Sequence, residues 1–401
     1  MKSERIELNE MNENDEMNEM NETGLVDCND DCQEIEWSFW IEGVAVPLIA
    51  AFGITGNVFC VFVFTQKSVE LKPCFSNILK CLSIFDSLFL LGVTLLYPLP
   101  ILSETYSNFE PNVTPYILPF TQIALTGSVY SVLAVALERY FTICRPFQYN
   151  LGSLLDGCLY ILVIVLFSIL YNLARFFEYE TVVENMYDPS TNSSTEITKL
   201  GLTPLRQNPV YTTVCILLNT AVMGIFPIVT LSILNFKIIK KMRKANLVHN
   251  RIATNQRRDG AMTALLSGVV VVLILCHTPK TIINMYESYQ MLMWGSLKYT
   301  PLWGRLVIKL SHLLLTVSSA VNILIYSYKD LKFRCVVSSV FVKMYTTCRD
   351  MCCKHQKEGI SSIELLELKS AVNPNHHHDV NNITTAPLVS ETNINLISHH
   401  T

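Results

Sequence analysis

Along the chain, apolar residues gather into seven long stretches, at about 44–66, 75–99, 116–141, 156–177, 210–236, 260–286 and 305–327, and the chain turns polar between and beyond them. Crossing hydrocarbon takes about 20 largely apolar residues in a helix, because a helix satisfies its own backbone polar groups where water cannot. The pattern therefore predicts an all-α membrane protein, a seven-transmembrane helix bundle. Composition points the same way: of 401 residues, 50% are hydrophobic and only 16% charged, too apolar for an ordinary soluble enzyme of this length.

The polar flanks divide the chain into an acidic, disordered N-terminus (1–43), the bundle (44–335) and a mostly disordered tail (336–401). Residues 1–43 carry acids from Glu4 to Glu42 against only Lys2 and Arg5, a composition that cannot bury enough apolar surface to fold alone. No apolar run precedes the first span, so no cleavable signal peptide is expected. Lysines and arginines set the orientation. They follow the first span (Lys67, Lys72), the third (Arg145) and the seventh (Lys329, Lys332, Arg334), and they fill the loop between the fifth and sixth from Lys237 to Arg258. These loops are expected in the cytoplasm, with the N-terminus outside. Sequons at Asn21, Asn112 and Asn192 fall on the outer side and are candidate glycosylation sites. After the seventh span, "KDLKFRCVVSSVFVKMY" alternates basic and apolar residues at helical spacing, which predicts a short amphipathic helix on the inner lipid surface. Cys348, Cys352 and Cys353 follow, either palmitoylated as a second anchor or unmodified cytosolic thiols.

Polar residues inside the spans carry the candidate chemistry. The first span has Asn57, the second Asp86, and the third Ser128 and a closing Glu138-Arg139-Tyr140. Pro227 and Pro279 interrupt the fifth and sixth, and the seventh holds Ser318, Ser319, Asn322 and Tyr326. An acid in hydrocarbon is tolerable only if paired, hydrated or protonated, so Asp86 demands partners, and Asn57, Ser128, Ser318 and Asn322 are the groups able to face it. Arg139 either pairs with Glu138 and with Asp259 at the start of the sixth span, or snorkels to headgroups. Pro279 frees a backbone carbonyl and supplies a hinge, or serves packing alone.

Taken together, Asn in the first span, Asp in the second, the acidic-Arg-Tyr triplet in the third and Asn-x-x-x-Tyr in the seventh resemble the rhodopsin-like G-protein-coupled receptors over about residues 44–335. "LTGSVYSVLAVALERYFTICRPF", "ARFFEYE" and "HTPKTIINMYE" resemble, within that class, the invertebrate FMRFamide-type neuropeptide receptors. The resemblance implies a plasma-membrane receptor for an extracellular, amidated FMRFamide-like peptide that activates a heterotrimeric G protein as the sixth helix moves outward. Arrestin, a receptor kinase and membrane lipid are the further implied partners. It makes Glu138, Arg139, Tyr140, Asp259, Pro279, Asn322 and Tyr326 the activation switch. Asn57, Asp86, Ser128, Ser318 and Asn322 become a sodium and water pocket, the alternative being a structural hydrogen-bond network. Thr121, Gln122, Glu178, Glu180, His277, Lys280, Glu287 and His312 become the ligand pocket. Glu287 is expected to meet a ligand guanidinium, with Lys280 turned toward His312.

The chain also departs from that class. The usual cysteine at the outer end of the third span is missing, and 178–208 contains no cysteine to pair with it. Either contacts alone hold that loop, or Cys28, Cys32 and Cys215 compensate. Ile323 stands where a proline usually follows the asparagine, which puts the kink of the seventh helix in doubt, and His277 replaces the usual tryptophan as a packing residue or a pH sensor. An amine ligand is the alternative to a peptide, but no acid stands at Thr121 or Gln122 to meet an ammonium. A secondary transporter using Asp86 and Lys280 is the alternative class; internal repeats are not seen. Phosphate-binding glycine loops, metal-spaced clusters and nucleophile elbows are missing too, so no enzyme, resident cofactor or nucleic-acid partner is expected.

Overall fold

The computed structural model describes residues 33–66, 73–145, 156–188, 193–248, 254–294 and 302–329, with a few isolated positions beyond; within these, side chains at 254–266 and at some other segment ends are left out. Contacts divide the chain into two units, Met1–Ser339 and Val340–Thr401, and the bundle belongs to the first. Asn21, Asn192, Cys28, Cys32, Cys348, Cys352, Cys353 and most of the amphipathic segment lie outside the described residues, and the side chain of Asp259 is not described.

Seven helices form the bundle: α1 (Gln33–Thr65), α2 (Pro73–Leu96), α3 (Glu104–Cys144), α4 (Asp156–Asn172), α5 (Pro209–Lys244), α6 (Thr254–Trp294) and α7 (Leu302–Ala320). Among the described residues, six helices are long and apolar enough to cross a membrane. In α7, the polar residues Arg305, Lys309 and His312 dilute the apolar run. α3 touches α2, α4, α5 and α6 and is the central helix, while α7 packs on α1, α2 and α6 and closes the ring. At Gly53 an added Cβ would lie 2.8 Å from the Ala320 backbone, so the small residue is what lets α1 and α7 approach. Large apolar side chains such as Leu48, Leu170 and Phe236 point out of the bundle.

One expectation is corrected at the start. Residues 33–43 were placed in an unfolded acidic tail, but the first helix begins at Gln33. Ion pairs to α7 explain the extension: Glu34 reaches Arg305 and, at 3.6 Å, Lys309, while Glu42 lies 3.3 Å from Lys309 and 3.5 Å from His312. Acids read as a solvated run thus staple one helix to another.

Prolines shape the helices. Both π-helical stretches, Phe39–Ala45 in α1 and Thr220–Ile225 in α5, end two residues before a proline, Pro47 and Pro227. Proline brings no N–H and its ring crowds the carbonyl four residues back; a wider turn relieves the clash but still leaves one carbonyl without a backbone donor. In α5 the N–H of Phe226 bonds the carbonyl five residues back, Ala221, so the next carbonyl in that register, Val222, would need the N–H that Pro227 lacks. The Tyr130 hydroxyl of α3 donates to it at 3.0 Å. α3 repeats the device. Its prolines 111, 115 and 119 are all buried on one face, and Pro115 orphans the Pro111 carbonyl, which accepts from the Thr181 hydroxyl at 3.0 Å.

Thr181 belongs to an antiparallel hairpin, β1 (Tyr179–Asp188) with β2 (Ser193–Leu202), in register from Tyr179 opposite Leu202 to Asp188 opposite Ser193. Both strands contact α3. The hairpin is therefore tied to the bundle by contacts. Among the described residues every cysteine, Cys215 included, is unbridged. Asn208 then caps α5, accepting from the N–H groups of Val210 and Tyr211, with Pro209 at the first helical position where its missing N–H costs nothing.

α7 also bends, although it has Ile323 in place of a proline. The helix breaks at Val321 and resumes as Asn322–Lys329, with the N–H of Leu324 bonding Val321. The cause is a competing donor: Asn57 of α1 gives its amide to the Ser319 carbonyl at 2.9 Å, the carbonyl that Ile323 would otherwise use.

Replacing Tyr130 with phenylalanine keeps the ring but strands the Val222 carbonyl. Loss of about 1–3 kcal/mol is expected, read as a lower melting midpoint of purified Tyr130→Phe protein in detergent. An unchanged midpoint would show that the carbonyl finds another donor.

Candidate functional site

Asp86 sits mid-bundle with no solvent exposure. Its Oδ1 accepts from Ser128 of α3 at 2.6 Å and its Oδ2 from Asn322 at 2.7 Å. The Ser319 hydroxyl bonds it as well. Asn57, buried beside it, joins through the Ser319 carbonyl. Four helices thus meet at one carboxylate. A buried charge without such donors costs several kcal/mol, and here each oxygen has one. Ser318, expected here, gives Asp86 no hydrogen bond and is half-buried; Ser319, its neighbour, is buried and bonds it in its place, because adjacent helical residues differ by about 100° in direction.

At the opposite end of α3 from the hairpin, Arg139 is 8% exposed and Glu138 1%, so neither snorkels freely. Arg139 Nε lies 3.7 Å from Glu138 Oε2, and the guanidinium lies over the Phe75 ring of α2, 3.6 Å from its centroid. Cation–π stacking of this kind holds a guanidinium as a plane. Thr142 donates to the other oxygen of Glu138 at 3.3 Å. Tyr140 lies beside α5, with Lys237 Nζ 5.8 Å from its ring. Tyr326, 1% exposed, packs edge-on against Phe64 at 5.4 Å and lines a small void with Val132, Val135 and Val269. Arg139 and Tyr326 are therefore both held against aromatic and aliphatic core side chains. Pro279 lies within α6, where it removes the backbone donor for Leu275.

A cavity of about 170 Å³ opens toward the hairpin end between α2, α3, α5, α6 and α7. It brings together Thr121, Gln122, His277, Lys280 and His312 from the predicted pocket and adds Tyr97, Asn219 and Asn284, which sequence reasoning passed over because lone tyrosines and asparagines carry no spacing signal. His312 stacks on Tyr97 at 4.7 Å and bonds toward Glu42, and it shares the cavity with Lys280, whose charge reaches it. The predicted acids stand outside the lining. Glu178 is buried and accepts from the Tyr211 hydroxyl at 3.0 Å; Glu180 is exposed on β1; Glu287 is partly exposed on α6. Arg175 donates to the side-chain oxygens of Asn172 and Asn219, the latter a lining residue.

Comparison with known proteins places this geometry. The family described as 7 transmembrane receptor (rhodopsin family) matches residues 56–326. The chain is 27% identical to the FMRFamide receptor of Drosophila melanogaster over 76% of its own length and 54% of that protein, and 27% identical to the FMRFamide peptide receptor frpr-18 of Caenorhabditis elegans over 72% and 66%. It is 24% identical to the human adenosine receptor A2b, over 76% of this chain and 91% of that protein. The match thus spans just over half of the fly protein and about two thirds of the nematode one.

Because Asp86 gathers donors from other helices, Asp86→Leu should destabilise the bundle far more than Asp86→Asn. Leucine leaves the Ser128 hydroxyl and Asn322 amide buried and unpaired, at about 1–3 kcal/mol each, whereas asparagine can still bond both. Melting midpoints of the two purified variants decide it; equal midpoints would remove the hub from its structural role.

Proposed function

From the premise that this chain belongs to the 7 transmembrane receptor family of the rhodopsin type, we propose that it is a plasma-membrane receptor for an extracellular neuropeptide of the amidated FMRFamide type, acting through a heterotrimeric G protein. The ligand class rests on the fly and nematode relatives, both FMRFamide receptors by name. The observation that carries the reading in this chain is the cavity beneath the hairpin, whose α3 wall of Thr121 and Gln122 offers polar groups but no acid for an amine. A second, small-molecule reading draws on the adenosine receptor relative and on the same modest cavity. FMRFamide and adenosine, each applied to cells expressing the chain with G-protein activation as the readout, separate the two.

In this reading the N-terminus is extracellular, Asn21, Asn112 and Asn192 are glycosylated, and Cys348, Cys352 and Cys353 carry palmitate on the cytoplasmic side. Arrestin, a receptor kinase and membrane lipid are its further partners. Ligand binding loosens the hold on Arg139; α6 swings about Pro279, Tyr326 moves beside the arginine, and the G protein takes the freed guanidinium. Asp259, near the start of α6, is the latch partner in the resting state. Arg139→Ala should then abolish agonist-driven nucleotide exchange while ligand affinity stays within a few-fold, and Asp259→Ala should raise basal exchange. A latch worth about 1–3 kcal/mol, the common scale of allosteric coupling, bounds that rise at roughly 5- to 150-fold. Wild-type signalling by Arg139→Ala would sink the assignment.

A sodium ion fits the same scheme at Asp86. The carboxylate with the Ser128 and Ser319 hydroxyl oxygens is the all-oxygen set that hard cations take. Both Asp86 oxygens already accept hydrogen bonds, so the ion would displace a donor and loosen α3 or the segment after Val321. Agonist affinity should fall or rise with sodium in the wild type and become insensitive in Asp86→Asn. If wild-type affinity ignores sodium, replaced by N-methylglucamine at constant ionic strength, the hub is purely structural.

A further inference from the structure

Lys280 is the group in the cavity that nothing described so far uses. It lines the chamber and, among the described residues, makes no hydrogen bond and no ion pair. Glu287, Arg175 and the His312 imidazole are the titratable groups linked to it through their fields. Glu287 is seven residues further along α6, about 10 Å toward the rim by helical rise. Arg175 is a second cation, already bonded to Asn172 and Asn219. The remaining nearby acids are committed: Glu42 to Lys309 and His312, Glu178 to Tyr211. The lining itself contains no carboxylate.

An ammonium has three donors and no acceptor, and in a partly dry chamber an anion stabilises it far more than a neutral oxygen does. Its neighbours strengthen the preference. Asn219 gives its oxygen to Arg175 and so presents its NH2 group, and Gln122 and Asn284 add amides able to donate. A guanidinium, itself without acceptors, has nothing to gain there and is better met at the rim by Glu287, which is partly exposed and, among the described residues, unpaired.

We propose that Lys280 receives a carboxylate of the ligand, so that the deep chamber reads an anion while the rim reads a cation. The carboxylate is either an aspartate or glutamate side chain of a peptide or a free C-terminal carboxylate; a terminal carboxamide offers only a neutral oxygen. This rests on the receptor reading for the cavity's role; FMRFamide itself carries no carboxylate, so in an amidated peptide the acid comes from an aspartate or glutamate side chain, and a free C-terminal carboxylate would replace the amidated end.

Three small probes test it on purified full-length receptor by thermal melting: N-acetylphenylalanine, with a terminal carboxylate; N-acetylaspartic acid α-amide, with a side-chain carboxylate; and N-acetylphenylalaninamide, with none. At least one acid is expected to raise the melting midpoint above the neutral amide's effect, and which acid does so names the source. The shift should vanish in Lys280→Met and persist in Lys280→Arg. Without ligand, Lys280→Met should melt no lower than the wild type, since an unpartnered ammonium holds nothing together. An amide that stabilises as well as the acids, no acid effect, an acid effect that survives Lys280→Met, or a lower midpoint for the unliganded variant would each overturn the proposal. Activation by FMRFamide alongside a failed probe experiment rejects only this inference; probe binding without activation by any amidated peptide rejects only the peptide reading.

Discussion

A carboxylate with no access to water cannot be left to itself, and that constraint organises the middle of this bundle. Asp86 draws Ser128 from the central helix and Asn322 and Ser319 from the closing one, and Asn57 joins through the Ser319 carbonyl. Helices in a bilayer gain little from burying apolar surface against one another, because lipid is as apolar as leucine. Directional bonds of this kind therefore decide which helix faces which. The same bonds couple distant ends: any event that alters the occupancy of Asp86 must re-pair groups on α3, α7 and α1 together, since each oxygen already has a donor. Arg139 lies three turns along α3 from Ser128, and Tyr326 one turn beyond Asn322, so both stand on helices that the hub holds in register.

Backbone carbonyls supply the second organising element. A proline removes a donor, and in hydrocarbon the acceptor it abandons has no water to turn to. Pro227 and Pro115 each leave a carbonyl that a hydroxyl from another element takes, Tyr130 onto Val222 and Thr181 onto Pro111. What is a defect within one helix thereby becomes a specific link between elements: α5 to α3, and the hairpin to α3. Met223 and Gly224, which follow the Val222 carbonyl, line the chamber, so the α5–α3 link helps set that part of its wall.

The sequence made the spans legible, and with them the residues whose cost in hydrocarbon demands explanation. Asp86, Asn57, Ser128 and Asn322 met as expected, and so did Thr121, Gln122, His277 and Lys280 around one cavity. What escaped was direction and reach. Ser318 and Ser319 are equivalent on composition, and only the pitch of α7 relative to α2 separates them. The acids at 34 and 42 looked like part of a solvated run, because nothing local reveals that Arg305 and Lys309 stand opposite. Phe75 under Arg139 could not be found either: a phenylalanine in a span is ordinarily packing, and its role as a cation's platform exists only in three dimensions.

The departures from the resembling class turn out to share one physical remedy. The missing cysteine pair would have bound the loop to the central helix; here a proline-freed carbonyl on that helix accepts from Thr181 of the loop. The missing proline after Asn322 would have broken the closing helix by withdrawing a donor; here Asn57 occupies the Ser319 carbonyl from the side and the helix breaks at Val321 nonetheless. In both places a covalent constraint is replaced by a side-chain hydrogen bond onto a backbone carbonyl. The exchange has a consequence for dynamics. A disulfide or a proline ring persists in every state of the chain, whereas a hydrogen bond worth about 1 kcal/mol net can open and re-form within a conformational change. The hairpin on α3 and the break beside Asp86 are thus held by bonds weak enough to open and re-form, where a disulfide or a proline ring would not.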